Sequence, residues 1–247
     1  MDQEKGFIEL NEYIFEYLSG KKLDSGFKLK IEKYTGTKYD VASLTIEKIK
    51  NKSVIHLGCA DHLDLIMKKI RNNTWFHKIL TENSAECIGL DINREAVEYI
   101  RNNTEFLNVY YCDILNGLPN NLSTKKWDYL VAGEVLEHIS NPSVFLEDIR
   151  VKYSGIIEKI LITVPNALRI ENFKFALRNI ECVNSDHYYW FTPYTLAKVV
   201  YRAGYKINEI YLATKYIFDL RARSRLKYYL LKRFPLLRDT IILEANF

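Results

Sequence analysis

The stretch VIHLGCADH, residues 54–62, decides the fold of this chain. An apolar run that includes His56 leads into Gly58, which is typical of a buried strand that ends at a tight turn. A glycine there lets a ligand approach the backbone closely, and a following helix would present unpaired N–H groups. Ala60 and His62 stand where a nucleotide-binding loop usually has further glycines. Taken alone, the stretch predicts either a cofactor loop or an ordinary strand-to-helix turn.

From residue 53 onward, apolar runs alternate with stretches of helical periodicity. The runs are SVIHLG (53–58), ECIGLD (86–91), NVYYCD (108–113), DYLVAG (128–133) and KILITVP (159–165). This alternation predicts a parallel sheet with helices on both faces, because strands covered on both sides are apolar throughout. Two further strands are predicted in YKINEIYLA (205–213) and DTIILEANF (239–247). The fold class is therefore a doubly wound α/β sandwich.

The composition is typical of one globular domain that buries a full core. The chain has 247 residues, of which 48% are hydrophobic, and its formal net charge is +4. So small a charge argues against nucleic acid as a partner. The four cysteines are far apart and form no CxxC pair, so we expect reduced thiols and a cytoplasmic location.

Acidic residues follow the second and third strands. Asp91 ends ECIGLD and Asp113 ends NVYYCD. A carboxylate at the tip of the second strand can accept both ribose hydroxyls of an adenosine, and one at the third can accept from the adenine amino group. Each aspartate could instead cap the helix that follows it. A glycine and two aspartates at three successive strand ends nevertheless favour a nucleotide site.

The segment EVLEHI, residues 134–139, follows the fourth strand. Glu134, Glu137 and His138 stand at positions i, i+3 and i+4, so they are predicted to share one helical face. A histidine can take a proton from an acceptor hydroxyl, and a carboxylate can orient it. His187, in SDHYYWFTP, is a second candidate base.

Three interpretations of these four side chains remain open. The histidines act as general base and bind the acceptor, or the set binds a divalent metal such as Mg²⁺, Mn²⁺ or Zn²⁺. The third interpretation is structural, with an acidic helix start and a hydrogen-bonded histidine. The first is preferred, so no metal ligand is assigned.

The order of Gly58, Asp91 and Asp113, followed by WDYLVAGEVLEHI and LITVPN, resembles class I S-adenosylmethionine-dependent methyltransferases over about residues 40–215. The usual first motif of that family is an acidic residue, an apolar residue and GxGxG. Here His56 replaces the acid, while Ala60 and His62 replace the later glycines. The resemblance implies a Rossmann-like, mostly parallel seven-stranded sheet with an antiparallel last strand. A Rossmann dehydrogenase fits less well, because it would need GxGxxG.

The resemblance also implies S-adenosylmethionine as cofactor and assigns roles to residues. Gly58 and Ala60 would approach the methionine part, Asp91 the ribose and Asp113 the adenine. The full cofactor-binding set is Gly58, Cys59, Ala60, Asp91, Ile92, Asp113, Ile114 and Glu134, and the catalytic set is His138, His187 and Glu134. The metal alternative is similar to the site of metal-dependent small-RNA 3′-end 2′-O-methyltransferases, and an ExxEH element also occurs in ubiquinone-pathway O-methyltransferases.

The segment HYYWFTPYTLAKVVYRAGYKI, residues 187–207, also resembles the family. Thr192 is expected to cap a helix that begins at Pro193 and ends before Gly204. Trp190 and Phe191 either face the acceptor or belong to the core. Residues 1–50 are predicted to form a helical segment that acts as a lid, and residues 51–247 the methyltransferase domain. Within it, residues 167–192 are expected to form an acceptor lid.

The expected reaction is methylation of a hydroxyl on a sugar or another small molecule, as in methyltransferases of surface polysaccharides. The alternatives are a metal-dependent RNA 2′-O-methyltransferase and a non-catalytic S-adenosylmethionine-binding protein. A basic segment, residues 220–237, is either a solvated helix face or a surface for anionic membrane or another acidic partner. Its basic residues are Arg221, Arg223, Arg225, Lys227, Lys232 and Arg233.

Overall fold

The computed structural model describes residues 8, 10–31, 40–215 and 222–247. These residues form a seven-stranded sheet in the order β3-β2-β1-β4-β5-β7-β6. The strands are Ser53–Leu57 (β1), Glu86–Asp91 (β2), Val109–Tyr111 (β3), Trp127–Gly133 (β4), Ile157–Pro165 (β5), Lys206–Ala213 (β6) and Thr240–Asn246 (β7). All seven runs predicted to be strands are strands. The last strand runs antiparallel to both β5 and β6, as the resemblance implied.

Helices cover both faces of the sheet within the described residues. They are Glu12–Ser19 (α1), Val41–Ile49 (α2), Leu63–Arg71 (α3), Phe76–Asn83 (α4), Arg94–Asn103 (α5), Asn120–Ser123 (α6), Pro142–Tyr153 (α7), Ile170–Ala176 (α8), Pro193–Arg202 (α9) and Ala222–Arg233 (α10). Short 3-10 turns span Leu136–His138 and Pro235–Leu237. The sandwich is therefore the doubly wound architecture predicted from the alternating pattern.

The strand order reverses between β1 and β4, and this reversal positions the site. The chain runs from β1 outward through β2 to β3, then returns to place β4 beside β1. In open α/β sheets, the crevice beyond the carboxyl ends of the strands at such a point is where ligands bind. At this edge Asp91 is the last residue of β2, and Gly58 and Glu134 directly follow β1 and β4.

The start of α9 agrees with its sequence signals. The Thr192 side chain accepts from the Thr195 amide, and the Thr195 side chain accepts from the Thr192 amide, so both free amides are satisfied. Pro193 occupies the first helical position, and Gly204 has a left-handed φ of +91° just after the helix. These contacts fix where the segment that carries His187 rejoins the domain.

The described part of the N-terminal segment packs on α9. Phe15 and Tyr201 place their ring centroids 5.5 Å apart, and the Arg202 guanidinium donates to the Ser19 carbonyl oxygen. Residues 1–7, 9 and 32–39 lie outside the described residues, so the lid role of residues 1–50 stays a prediction. Within the described ranges, no helix has the length and apolar character that crossing a membrane requires.

Candidate cofactor and active site

The loop after β1 is pinned to the second strand. The amides of Gly58 and Cys59 both donate to the Leu90 carbonyl oxygen, at 2.9 and 3.2 Å. Gly58 has a φ of +69°, and a Cβ built on it would lie 2.8 Å from Cγ2 of Val135. A side chain at Gly58 is thus excluded by conformation and by space. The contact also places this loop directly against the segment that carries His138.

Asp91 holds the same loop from the end of β2. Its Oδ2 accepts a 2.9 Å hydrogen bond from the Ala60 amide, and its Oδ1 accepts one of 2.9 Å from the Asn93 amide. The cap of α5 is Asn93, whose side chain accepts from the Ala96 amide, so Asp91 is not the helix cap. Burial raises the pKa of the Asp91 carboxyl, and the backbone amides oppose that rise. A mostly buried carboxylate whose bonds leave further lone pairs can still accept from ligand hydroxyls.

The remaining proposed cofactor residues differ in what they offer. The Ile92 side chain is 72% exposed beside Asp91 and presents apolar surface that a flat ring can cover. The side chains of Cys59 and Ile114 are only 2% exposed, so only their backbone atoms could meet a ligand. Asp113 accepts from the Leu115 amide at 3.0 Å and from the side chain of Asn116 at 2.8 Å. Its oxygens therefore organise the turn after β3, and Asp113 is not a helix cap, because the next helix, α6, begins only at Asn120.

The segment EVLEHI is not an α-helix, so the shared helical face predicted for Glu134, Glu137 and His138 is wrong. Glu134 has a left-handed φ of +57°, and only Leu136–His138 form a short 3-10 turn. The Glu134 amide donates to the Thr163 carbonyl oxygen, and the Glu134 carboxylate pairs with Lys215 at 2.5 Å. The backbone conformation after β4 is thus set by contacts with residues distant in sequence, which helical spacing along the chain cannot predict.

Glu137, His138 and His187 nevertheless converge. One potential ligand atom from each lies within 4.8 Å of the others. The rings of His138 and His187 meet edge to face with centroids 4.6 Å apart. The Tyr188 amide donates to the Glu137 carbonyl oxygen at 2.8 Å, which joins the loop of His187 to the turn after β4.

The carboxyl of Glu137 is fully buried, and within the described part of the chain neither oxygen has a hydrogen-bond partner. Burial, with a smaller contribution from the nearby Glu134, raises the Glu137 pKa to about 8. Nδ1 of His187 is also buried and has no partner among the described residues. Burial and the neighbouring His138 lower the pKa of His187, which favours its neutral form.

Comparison with known proteins identifies the domain. Residues 48–162 match the family model described as a methyltransferase domain, and this span contains Gly58, Asp91 and the EVLEHI segment. Residues 48–162 thus match a methyltransferase domain, and the motifs within them resemble those of class I S-adenosylmethionine-dependent methyltransferases. S-adenosylmethionine is the cofactor of that family. A comparison with curated protein sequences found no match to the chain.

Solved structures share the fold of the methyltransferase domain at low sequence identity. A complex from Haloferax volcanii between the Trm112 methyltransferase activator and a candidate methyltransferase matches with a TM-score of 0.53 and 15% identity, covering 83% of this chain and 88% of that chain. An S-adenosylmethionine-dependent methyltransferase from Mesorhizobium loti matches with a TM-score of 0.50 and 11% identity, covering 84% and 98%. At such identities the likeness concerns the fold alone.

Trp190 and Phe191, which follow His187, have different environments. Phe191 is 3% exposed and belongs to the core, so the acceptor-facing alternative is wrong for it. Trp190 is half-buried, with the Arg169 guanidinium 4.9 Å from its ring and the His187 ring centroid 6.3 Å away. The half-buried Trp190 indole thus lies beside the pair of His138 and His187.

Sequence reasoning missed a buried pair of histidines beneath the loop after β1. Nδ1 of His56 lies 3.3 Å from Nδ1 of His77, and the two rings stack. Burial lowers the pKa of His77 to about 4 and that of His56 well below its usual value. Nearby, the Trp75 indole donates to the Cys59 carbonyl oxygen and supports the loop. His77 lies on α4, a helix for which no pattern was recognised.

Proposed function

We propose that this methyltransferase transfers the methyl group of S-adenosylmethionine to an oxygen atom of a small acceptor, with a sugar hydroxyl preferred. The observation that carries the proposal is the contact between Gly58 and Val135. It sets the loop after β1 against the segment that leads to His138, and His138 touches His187. The cofactor binding surface and a pair of candidate bases are therefore adjacent.

The chain offers a suitable cradle for the cofactor. Asp91 would accept from the ribose hydroxyls while keeping its bonds to the Ala60 and Asn93 amides. Ile92 would cover one face of the adenine, and the missing side chain at Gly58 would let the methionine part pass close to the backbone. When bound, S-adenosylmethionine supplies a methyl group on a positively charged sulfur. Charge-assisted hydrogen bonds to Asp91 would contribute most of the specificity.

The histidine pair would handle the proton of the acceptor. A neutral imidazole is needed for this role, and the lowered pKa of His187 favours it near neutral pH. The other ring nitrogen of His187, Nε2, would accept the proton of the hydroxyl, because Nδ1 is buried. His138 would orient that ring from its edge, and the Glu134 carboxylate, paired with Lys215 at the end of β4, would lie nearby.

Trp190 supports a sugar as acceptor. Its ring, held by Arg169, is a flat apolar surface next to groups that form hydrogen bonds. Sugars present apolar C–H faces and polar edges, so they suit such a mixed wall. A nucleic acid acceptor would need a larger basic surface than a net charge of +4 suggests.

Isothermal titration with S-adenosylmethionine tests the proposal. Wild-type protein should bind one equivalent, and Asp91→Ala should lose that binding while keeping its far-UV circular dichroism spectrum. Glu95→Gln is the matched control, because Glu95 is exposed in the first turn of α5 and makes none of the loop contacts described above. Absence of wild-type binding at millimolar cofactor would refute the proposed function.

A second candidate is metal-assisted transfer, in which Glu137, His138 and His187 bind a divalent cation. The unpartnered, fully buried Glu137 carboxyl favours it, because a cation would offset the cost of burying that group. The O and N ligands suit Mn²⁺ or Zn²⁺, and a bound cation would lower the pKa of a coordinated hydroxyl. Titration of chelator-treated protein with Mn²⁺ should show one site that Glu137→Gln abolishes. Full activity in EDTA would exclude this candidate and leave the histidine base.

A further inference from the structure

We propose that the surface formed by α8, the segment after it and the end of α10 docks on an anionic lipid bilayer. This surface is named here the apolar rim, and it consists of Leu168, Phe173, Leu177, Ile180, Val183 and Phe234 together with the basic residues between them. The proposal is independent of the reaction, since it concerns where the protein lies rather than what it transfers.

The apolar rim exposes an unusual amount of apolar side chain. Every described side chain of α8 keeps contact with solvent, and Phe173 and Leu177 are 58% and 71% exposed. Ile180 and Val183 follow at 49% and 47%. Single exposed apolar residues are common, but several in one short segment are typical of a surface that meets a partner or a membrane.

The basic side chains of the apolar rim favour an anionic membrane over a protein partner. Lys174 and Arg178 are exposed and alternate with the apolar residues of α8 and the segment after it. Residues 222–238 contain no acidic residue, and Lys232 and Arg233 among them are exposed. Basic side chains interleaved with exposed apolar ones match the headgroups and acyl boundary of an anionic leaflet.

The two parts of the apolar rim are joined. Lys227 on α10 pairs with Glu171 on α8 at 2.6 Å. At the end of α10, Lys232 and Arg233 are exposed, and Phe234 is 47% exposed with the Arg233 guanidinium 5.2 Å from its ring. Arg221 and the side chains of Arg223 and Arg225 lie outside what the structure describes, so the argument rests on the other residues.

The apolar rim also adjoins the proposed acceptor side. The same segment continues from Val183 to His187, whose ring contacts His138. A bilayer on this surface would therefore lie near His187, so that a lipid-linked acceptor could reach the histidine pair without release into water.

Co-flotation with vesicles tests the proposal on the full chain. Wild-type protein should float with vesicles of phosphatidylcholine mixed with phosphatidylglycerol, and at least tenfold less with phosphatidylcholine alone. Phe173→Ser/Leu177→Ser should weaken binding at least tenfold, and Lys232→Gln/Arg233→Gln by about fivefold for each charge removed. Leu107→Ser is the matched control, because Leu107 is 61% exposed and precedes β3 at the opposite edge of the sheet.

Three outcomes would overturn the proposal. The first is no flotation of the wild type with anionic vesicles. The second is flotation that the Phe173 and Leu177 changes leave intact. The third is a wild-type dimer in light scattering that the same changes convert to monomer, because a second copy would then cover the apolar rim. Unchanged thermal unfolding would verify that the variants fold, as expected for exposed positions.

Discussion

Gly58 lies directly against Val135, so close that a Cβ on Gly58 would stand 2.8 Å from Cγ2 of Val135. This relationship explains why the loop tolerates alanine at position 60 but needs glycine at 58. Ala60 has a negative φ and uses its amide to bond Asp91, whereas Gly58 combines a left-handed φ with close packing. The loop has thus kept the one glycine that its geometry requires.

Gly58→Ala should destabilise the fold and lower affinity for S-adenosylmethionine. Its positive φ alone costs about 1–2 kcal/mol, and the clash adds to that. Gly20→Ala separates the two effects, because Gly20 has a similar φ of +82° and a built Cβ there would meet only Nη1 of Arg202, at 3.8 Å. Urea unfolding should rank Gly58→Ala as the more destabilised, and Val135→Ala added to it should restore part of the loss. Equal losses at positions 58 and 20 would show that the contact is unimportant.

His187→Gln and His138→Gln should reduce methyl transfer while leaving cofactor affinity within a few-fold of wild type. A positioned base contributes about 10²–10⁴ to the rate, so the loss at His187 should fall in that range. Transfer of radiolabelled methyl groups to a sugar acceptor identified by screening measures it. Glu181→Gln, at an exposed position in the same segment, is the control. Loss of cofactor binding in the histidine variants would instead place both side chains on the cofactor side.

Acid should destabilise the fold through the buried pair His56 and His77. The folded state holds His77 neutral down to a pKa of about 4, whereas the unfolded chain protonates it near the ordinary value of 6.5. The unfolded state then binds more protons, so stability falls as pH decreases from about 6.5 to about 4. His77 alone should cost about 2 kcal/mol between about pH 7.5 and about pH 5.

Urea unfolding at both pH values checks this expectation. His77→Gln should lose less stability on acidification than wild type, even if it starts less stable. His62→Gln should behave like wild type, because His62 is exposed. If the free energy of unfolding of wild type and of His77→Gln has the same pH dependence, the pair does not titrate as described.

Patterns along the chain predict the sheet well because buried parallel strands are apolar throughout and end at recognisable turns. The position of Asp91 at the end of the second strand was also predictable, whereas its role in binding the cofactor stays a prediction. The helical periodicity of EVLEHI was misleading, since the left-handed Glu134 depends on bonds to Thr163 and Lys215, both distant in sequence. Helical periodicity indicates local backbone geometry and cannot predict contacts with residues distant in sequence.

Two further features required the tertiary structure. His187 and His138 are 49 residues apart in number, and only the fold brings their rings to 4.6 Å. The stacking of His56 on His77 likewise joins a strand to a helix that no sequence pattern revealed. Phe191 is a core residue because the segment turns inward before α9, which its aromatic neighbours in the sequence do not indicate.

The most direct test of the account is a crystal structure of the protein with S-adenosylhomocysteine. We expect the ribose hydroxyls on Asp91, the homocysteine part over Gly58, and the sulfur facing His138 and His187. A sulfur that points away from both histidines, or a ribose that makes no contact with Asp91, would contradict the central claim.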